Sequence, residues 1–266
     1  MSIPRRISAM AAATAAAFVS VMALTGTAAQ AQTIEYVALG DSYASGVGTR
    51  DYIDDGTDCK RSDAAYPSLI ADELGADLTF AACSGAKTGD VLADQLGGLS
   101  ASTDLVTITI GGNDTGWTGV VQQCAYPYPW TCTAEIDAAE KFIREQLPAK
   151  LHAVYDAIES AAPNADVVVL GYPRLFNGEE CNAITRISPG EQAALNDAAD
   201  LLGDTVGQVA GSHGFQYADV RDAFEDHAVC DDTEWLNGIS YPVVESYHPN
   251  KSGQQDGYFP VLNSIV

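Results

Sequence analysis

Residues 34–48 read Ile-Glu-Tyr-Val-Ala-Leu-Gly-Asp-Ser-Tyr-Ala-Ser-Gly-Val-Gly, a stretch that joins a strand pattern to a polar turn. Its first half is rich in β-branched and aromatic residues and predicts a strand. Its second half is rich in Gly, Asp and Ser, which favour a turn. A strand that stops at Gly40-Asp41-Ser42 places a hydroxyl at the carboxyl edge of a sheet, where open α/β folds bind ligands. Taken alone, this tripeptide more often marks only a strand end followed by a helix cap.

The first 31 residues differ from everything that follows them. Arg5 and Arg6 precede an alanine-rich apolar run over residues 7–24, and Ala29-Gln30-Ala31 ends the segment with a small-x-small pattern. This pattern predicts a cleaved secretory signal peptide rather than a retained membrane anchor. Residues 32–266 then form the secreted, extracellular domain. We expect no membrane insertion after cleavage, because no later stretch approaches the ~20 apolar residues that a span requires.

The charge of the chain limits the classes of molecule that it is expected to bind. The formal net charge is −23, and a surface this acidic repels nucleic acid and anionic membranes. Residues 51–58 hold four aspartates and suggest a calcium loop. However, Ile53 and Ser62 stand where the calcium motif needs Asp or Asn and Glu. We therefore predict a solvated loop, no metal and no cofactor.

Segments that favour strands alternate with segments that favour helices along the whole mature chain. The predicted strands cover residues 34–40, 77–82, 105–110, 167–170 and 215–217. The predicted helices cover residues 64–74, 89–96, 134–162 with a bend near Pro148, 189–210, and the last part of 251–266. This alternation predicts one α/β domain of three layers, in which a doubly wound parallel five-stranded sheet carries helices on both faces.

The turns after the first three strands meet at one edge of such a sheet. They bring Ser42, Gly85 and Asn113 to the same place, although each could singly be an ordinary turn residue. A serine needs a base to act as a nucleophile at neutral pH, and a developing oxyanion needs preset N–H donors. The backbone N–H groups of Ser42 and Gly85 and the side-chain amide of Asn113 supply three candidate donors.

One of the four histidines is placed to serve as that base. His248 precedes the last predicted helix, so its loop can fold back over the carboxyl edge of the sheet. Glu245 lies three residues earlier and could orient the imidazole ring through its second nitrogen. His152, His213 and His227 lie in a helix, a turn and an acidic loop without this combination.

Four ordered motifs identify a family resemblance. Gly40-Asp41-Ser42-Tyr43, Gly85, Gly111-Gly112-Asn113-Asp114 and Glu245-x-x-His248-Pro249 resemble the motif blocks of the SGNH hydrolases, or GDSL esterases and lipases. The similarity covers the mature chain and is greatest to secreted single-domain lipases and esterases of filamentous actinobacteria. It implies the flavodoxin-like SGNH hydrolase fold.

The resemblance also implies roles for individual residues. Ser42 would be the nucleophile, His248 the base, and Ser42, Gly85 and Asn113 the oxyanion hole. The family commonly has Asp where this chain has Glu245, and some relatives use a backbone carbonyl there, so Glu245 could act through either group; we expect its carboxylate to matter. The implied disulfides pair neighbouring cysteines: Cys59–Cys83, Cys124–Cys132 and Cys181–Cys230. All three would brace loops around the catalytic edge.

These features together predict a secreted serine esterase or lipase. It would hydrolyse small-molecule esters or lipid acyl esters, including glycerides and phospholipids, through an acyl-enzyme, as a monomer without cofactor. Two alternatives remain open at this level. One is a polysaccharide O-acetyl esterase, and the other is a non-catalytic binding module on the same fold.

Overall fold

A parallel sheet of five strands lies at the centre of the structure, a computed structural model that describes residues 33–126, 131–181 and 187–266. The strands are β1 (Glu35–Gly40), β2 (Asp77–Phe80), β3 (Leu105–Thr109), β4 (Asp166–Leu170) and β5 (Gln216–Ala218). Their order in the sheet is β2-β1-β3-β4-β5, and every neighbouring pair is parallel. The predicted α/β fold is confirmed, and its flavodoxin-like order places β1 and β3 side by side in the middle of the sheet.

Two groups of helices cover the sheet. The helices are α1 (Ser42–Ser45), α2 (Tyr66–Leu74), α3 (Thr88–Asp90), α4 (Trp117–Cys124), α5 (Thr133–Glu145), α6 (Leu147–Ala161), α7 (Pro189–Ser212) and α8 (Phe259–Asn263). Helix α2 packs with α8, whereas α5, α6 and α7 pack with one another. Strand β3 is buried along its whole length, as expected for a strand covered on both faces.

Local signals in the sequence set several of these boundaries. Helix α7 begins with a capping box, in which the Ser188 hydroxyl accepts from the Glu191 N–H and the Glu191 carboxylate accepts from the Ser188 N–H. The predicted bend in the long helical segment is a break at Gln146, with Pro148 in the first turn of α6. Helix α2 ends at Gly75, whose φ of 61° lies in the left-handed region.

Two predicted helices are irregular in the structure. In place of a helix over residues 89–96, α3 continues into a π-helical turn (Val91–Gln95) and a 3-10 turn (Leu96–Gly98). The closing helix likewise begins with a π-helical turn (Gly253–Tyr258) before α8. Each π-helical turn carries a buried glutamine whose side chain bonds to distant backbone. Gln95 pairs with both the N–H and the carbonyl of Gly40, and the Gln254 side chain bridges Tyr66 and Tyr43.

The cysteines form the three predicted disulfides, Cys59–Cys83, Cys124–Cys132 and Cys181–Cys230. Among the described residues, no helix combines the length and the apolar character that crossing a bilayer requires.

Candidate active site

Ser42 lies where β1 ends and the short helix α1 begins. Asp41 caps this helix, because its carboxylate accepts a hydrogen bond from the Tyr43 N–H at 3.0 Å. The Ser42 hydroxyl is 2.8 Å from Nε2 of His248, although 206 positions separate the two residues. This distance is that of a hydrogen bond, so a proton can pass from the serine to the imidazole.

The loop that carries His248 determines how its ring is oriented. We refer to residues 237–248 as the His248 loop; its two ends are joined by hydrogen bonds between the backbones of Asn237, Tyr247 and His248. Nδ1 of His248 lies 2.9 Å from the carbonyl oxygen of Ser246. A carbonyl can only accept, so Nδ1 carries the proton and Nε2 presents its lone pair to the Ser42 hydroxyl. Burial lowers the pKa of His248 to about 4, which keeps the ring neutral at pH 7.

The structure contradicts the prediction that Glu245 orients His248. The Glu245 carboxylate instead accepts hydrogen bonds from Nε of Arg50 and the hydroxyl of Tyr52, each at 2.8 Å. The backbone alternative is also wrong for this residue, because the carbonyl that meets Nδ1 belongs to Ser246. The reason is geometric. Glu245 is the last residue of a 3-10 turn over Val243–Glu245, and its side chain meets Arg50 and Tyr52 in place of His248.

The predicted oxyanion donors lie together around Ser42. Gly85 and Asn113 line the same pocket as the serine. One hydrogen of the Asn113 amide is donated to the carbonyl of Ala86 at 3.0 Å, which holds the side chain and leaves the second hydrogen free. Gly85 has a φ of +80°, a left-handed conformation that favours glycine and turns this residue into the pocket. Ser42, Gly85 and Asn113 thus face one pocket, and their N–H groups are the candidate donors to an oxyanion there.

Sequence reasoning did not identify Tyr172 as part of the site. Its hydroxyl donates to the Asp41 carboxylate at 2.5 Å and accepts from the Gly112 N–H at 3.1 Å. Tyr172 therefore joins the turn of Ser42 to the turn of Asn113. The available signal was its position, since Gly171-Tyr172-Pro173 follows β4 at the same sheet edge. Burial raises the pKa of Asp41 to about 7, while the hydrogen bond from Tyr172 opposes this rise.

Two further sets of hydrogen bonds connect the turns of the site to neighbouring segments. The Asp114 carboxylate accepts from both the N–H and the hydroxyl of Thr88, which ties the turn after β3 to the start of α3. The Tyr43 hydroxyl donates to the Tyr247 carbonyl at 2.7 Å, which fastens α1 to the His248 loop. These contacts fix the backbone beside Asn113 and beside His248, respectively.

The other three histidines do not reach Ser42. His152 and His213 bond to each other, with 2.8 Å between Nδ1 and Nε2, while His227 stacks on Trp235. Among the histidines, only His248 meets the serine, as the sequence predicts.

A pocket of about 740 Å³ opens beside Ser42 and His248. Its walls are predominantly apolar. They include Trp117, Val121, Leu175, Leu202, Ile239, Val243 and Val244. Pockets that bury drug-sized ligands commonly measure ~300–1,000 Å³. This pocket lies in that range, so it has room for a group far larger than acetyl.

Comparison with known proteins identifies the class that this fold and site define. Residues 38–255 match the model of the GDSL-like Lipase/Acylhydrolase family. The chain belongs to this family and is a carboxylic ester hydrolase, as its motifs predict.

Proteins from Streptomyces are similar over most of the chain. A lipase of Streptomyces rimosus is 47% identical over 237 residues, which are 88% of each chain. The crystal structure of an extracellular lipase from Streptomyces rimosus superposes with a TM-score of 0.84 at 46% identity, over 88% of this chain and all of that one. The crystal structure of phospholipase A1 from Streptomyces albidoflavus NA297 gives a TM-score of 0.83 at 42% identity, with the same coverage.

Proposed function

We propose that this chain is a secreted lipase or esterase that cleaves acyl esters of lipids with Ser42 as its nucleophile. The observation that carries the proposal is the hydrogen bond of 2.8 Å between the Ser42 hydroxyl and Nε2 of a neutral His248, at the end of a large apolar pocket. The substrates would be glycerides and phospholipids. The similarity to a phospholipase A1 and to lipases supports this choice.

The geometry supports an acyl-enzyme mechanism. The Ser42 oxygen attacks the ester carbonyl carbon while its proton moves to Nε2 of His248. The oxyanion is held by the N–H groups of Ser42 and Gly85 and by the free hydrogen of the Asn113 amide. As the intermediate collapses, His248 gives the proton to the departing alkoxide, and the acyl group remains on Ser42. A water molecule, deprotonated by His248, then attacks the acyl carbon, and His248 returns the proton to the Ser42 oxygen as the fatty acid is released.

The carbonyl of Ser246 takes the part that a carboxylate plays in many serine hydrolases. It fixes the tautomer of His248 and turns the ring toward Ser42. A carbonyl offers a dipole in place of a full charge, so it stabilises the imidazolium less. The nearby Glu245 carboxylate still raises the pKa of His248 through space, as the weakest of the three influences on it.

The apolar walls favour long acyl chains over acetate. An acyl chain that fills the pocket would be removed from water and would pack against Trp117, Val121 and Leu175. Burial of apolar surface stabilises binding by ~25 cal/mol per Å². An acetyl group would leave most of this surface unoccupied. An O-acetyl esterase acting on polysaccharide is therefore the weaker hypothesis.

We further propose that residues 1–31 are removed on export and that the domain works outside the cell as a monomer. The extracellular Streptomyces rimosus lipase and the three disulfides support this location, since disulfides persist in oxidising compartments.

A panel of p-nitrophenyl esters from acetate to palmitate, together with phosphatidylcholine and an acetylated xylan, tests the function. We expect kcat/KM to rise from acetate to medium or long chains, and fatty acid to be released from phosphatidylcholine. A maximum at acetate, with acetate released from xylan, would instead establish the polysaccharide esterase. Ser42→Ala is the control for each substrate, and a fluorophosphonate probe that labels the wild type alone would exclude a non-catalytic module.

A further inference from the structure

We infer that the tip of the His248 loop is an interface-binding surface that docks the enzyme on a zwitterionic lipid surface. The inference rests on the proposed function, since it names the physical form in which the substrate is met. It gives a role to residues 239–244, which take no part in the proposed catalytic steps.

The exposed large hydrophobic side chains are concentrated at the pocket mouth. There are seven of them among the described residues, and four line the catalytic pocket: Tyr126, Ile239, Val243 and Val244. A fifth, Tyr241, lies between Ile239 and Val243 in the chain and is 91% exposed, while Val243 is 63% exposed. Exposed apolar side chains that cluster around a binding pocket mark interaction sites.

The base of the loop holds this apolar tip in a fixed place. The Ser240 N–H donates to the Ser246 hydroxyl at 3.0 Å, and the Glu245 N–H donates to the Pro242 carbonyl. Glu245 itself is buried and bonded to Arg50 and Tyr52, so the segment on its carboxyl side is anchored in the protein. The apolar side chains therefore project from an anchored loop, and the same loop carries the catalytic base.

The distribution of charge indicates which surface this tip would meet. Residues 238–244 contain no charged side chain, although the chain as a whole has a formal net charge of −23. An uncharged apolar tip can enter the boundary between headgroups and acyl chains, whereas the acidic remainder is repelled by anionic lipid. Tyrosine suits this boundary because its ring is apolar and its hydroxyl is polar. Phosphatidylcholine, which is zwitterionic, fits all these features.

Docking here would also deliver the substrate to the pocket. Since Ile239, Val243 and Val244 belong to both the apolar tip and the pocket wall, the surface is continuous from the lipid to Ser42. An acyl chain leaving the bilayer would stay in contact with apolar side chains throughout.

Sedimentation with sucrose-loaded phosphatidylcholine vesicles tests the inference, with Ser42→Ala as the background so that no lipid is hydrolysed. We expect this variant to bind, and Tyr241→Asp added to it to lower the partition coefficient at least about tenfold. Tyr241→Ser, which removes the ring without adding charge, should lower it less. Val266→Asp is the control matched in charge, because Val266 is another exposed valine outside the pocket lining, and it should bind as the background does.

Soluble p-nitrophenyl butyrate separates this inference from the proposed function. Tyr241 does not line the pocket, so Tyr241→Asp in the active enzyme should hydrolyse the soluble ester normally and phosphatidylcholine vesicles slowly. Equal vesicle binding by Tyr241→Asp and Val266→Asp would overturn the docking surface alone. The same conclusion would follow if Ser42→Ala did not bind vesicles although the wild type cleaved the soluble ester. No hydrolysis of any ester by the wild type would overturn the proposed function. Tighter binding to phosphatidylglycerol than to phosphatidylcholine at low salt would also contradict the inference.

Discussion

The turn that carries Ser42 and the loop that carries His248 are built in different ways. Every residue from Asp41 to Ser45 is buried, and the turn is the direct continuation of a central strand. The His248 loop lies over the surface, with Tyr241 and Val243 largely exposed. Its position depends on contacts with residues near 43 and 50–52, about 200 positions away in the chain. Ser42 is thus placed by the sheet, whereas His248 is placed by side chains of distant segments.

This contrast predicts how substitutions in each region should affect the rate. Substitutions in the turns at the sheet edge remove groups that touch the reacting atoms, so they should lower kcat. Substitutions at the anchor of the His248 loop act through the loop, so they should change the rate less. Five predictions test this contrast, from the largest expected effect to the smallest.

The largest effect should follow from Ser42→Ala. We expect activity to fall below about a thousandth of the wild-type value, because the nucleophile is lost while only binding and the oxyanion donors remain. Initial rates on a soluble ester measure the change, and an unchanged Tm serves as the control for folding. A variant that keeps more activity than this would mean that another group is the nucleophile.

Asn113→Ala should lower kcat roughly 100- to 1,000-fold with little change in KM, as for the loss of other oxyanion donors. The Asn113 amide donates one hydrogen to the Ala86 carbonyl, and its second hydrogen is the one that we propose meets the oxyanion. Steady-state kinetics on one soluble ester separates the two constants. If KM alone rises, Asn113 binds the ground state instead.

Tyr172→Phe removes only the hydroxyl that joins Asp41 to Gly112. We expect kcat to fall roughly 10- to 100-fold, because small displacements of positioned groups have effects of this size. The free energy of unfolding should fall by about 1–3 kcal/mol, since a buried carboxyl and a buried N–H lose their partner. Chemical denaturation and kinetics are both needed. Unchanged kcat with lower stability would leave Tyr172 a purely structural role.

Glu245→Gln should reduce kcat less than about tenfold, which corresponds to ~1.4 kcal/mol of barrier. The reason is that the Ser246 carbonyl, which orients His248, survives the substitution. The bonds to Arg50 and Tyr52 are weakened, so Tm should decrease. A loss near the ~10⁴-fold typical of a missing triad acid would show that the carboxylate reaches His248 during turnover.

The smallest effect concerns the acidic limb of the pH profile of kcat/KM. His248 acts as a base only when neutral, and its lowered pKa of about 4 means that activity persists above pH 4 and is lost as the pH falls through that value. Glu245→Gln removes a negative charge that raises this pKa, so the limb should move to lower pH by less than about one unit. A wild-type limb near pH 6.5 would mean that the ring is solvated, and a shift to higher pH in the variant would contradict the electrostatic role of Glu245.

The positions of the turns at the sheet edge could be predicted from the sequence better than the contacts of the His248 loop. Gly40-Asp41-Ser42 and Gly111-Gly112-Asn113 follow strands directly, so their places at the carboxyl edge result from strand pattern and parallel topology. The spacing Glu245-x-x-His248 predicts the wrong orienting group, because the carbonyl that meets Nδ1 of His248 belongs to Ser246. Spacing from the histidine does not reveal that the Glu245 side chain meets Arg50, which lies 195 positions away.

The sequence by itself determined the α/β alternation, the edge at which Ser42, Gly85 and Asn113 meet, and which of the four histidines contacts Ser42. These features follow from periodicity, turn chemistry and ordered motifs, which are local properties of the chain. Only the tertiary structure decided that the Ser246 carbonyl meets Nδ1 of His248 and that Tyr172 joins two turns. It also decided that Gln95 and Gln254, in π-helical turns, bond to backbone beside Ser42. Each of these depends on which distant polar groups are buried together, because a buried donor or acceptor must find its partner wherever packing brings one within reach.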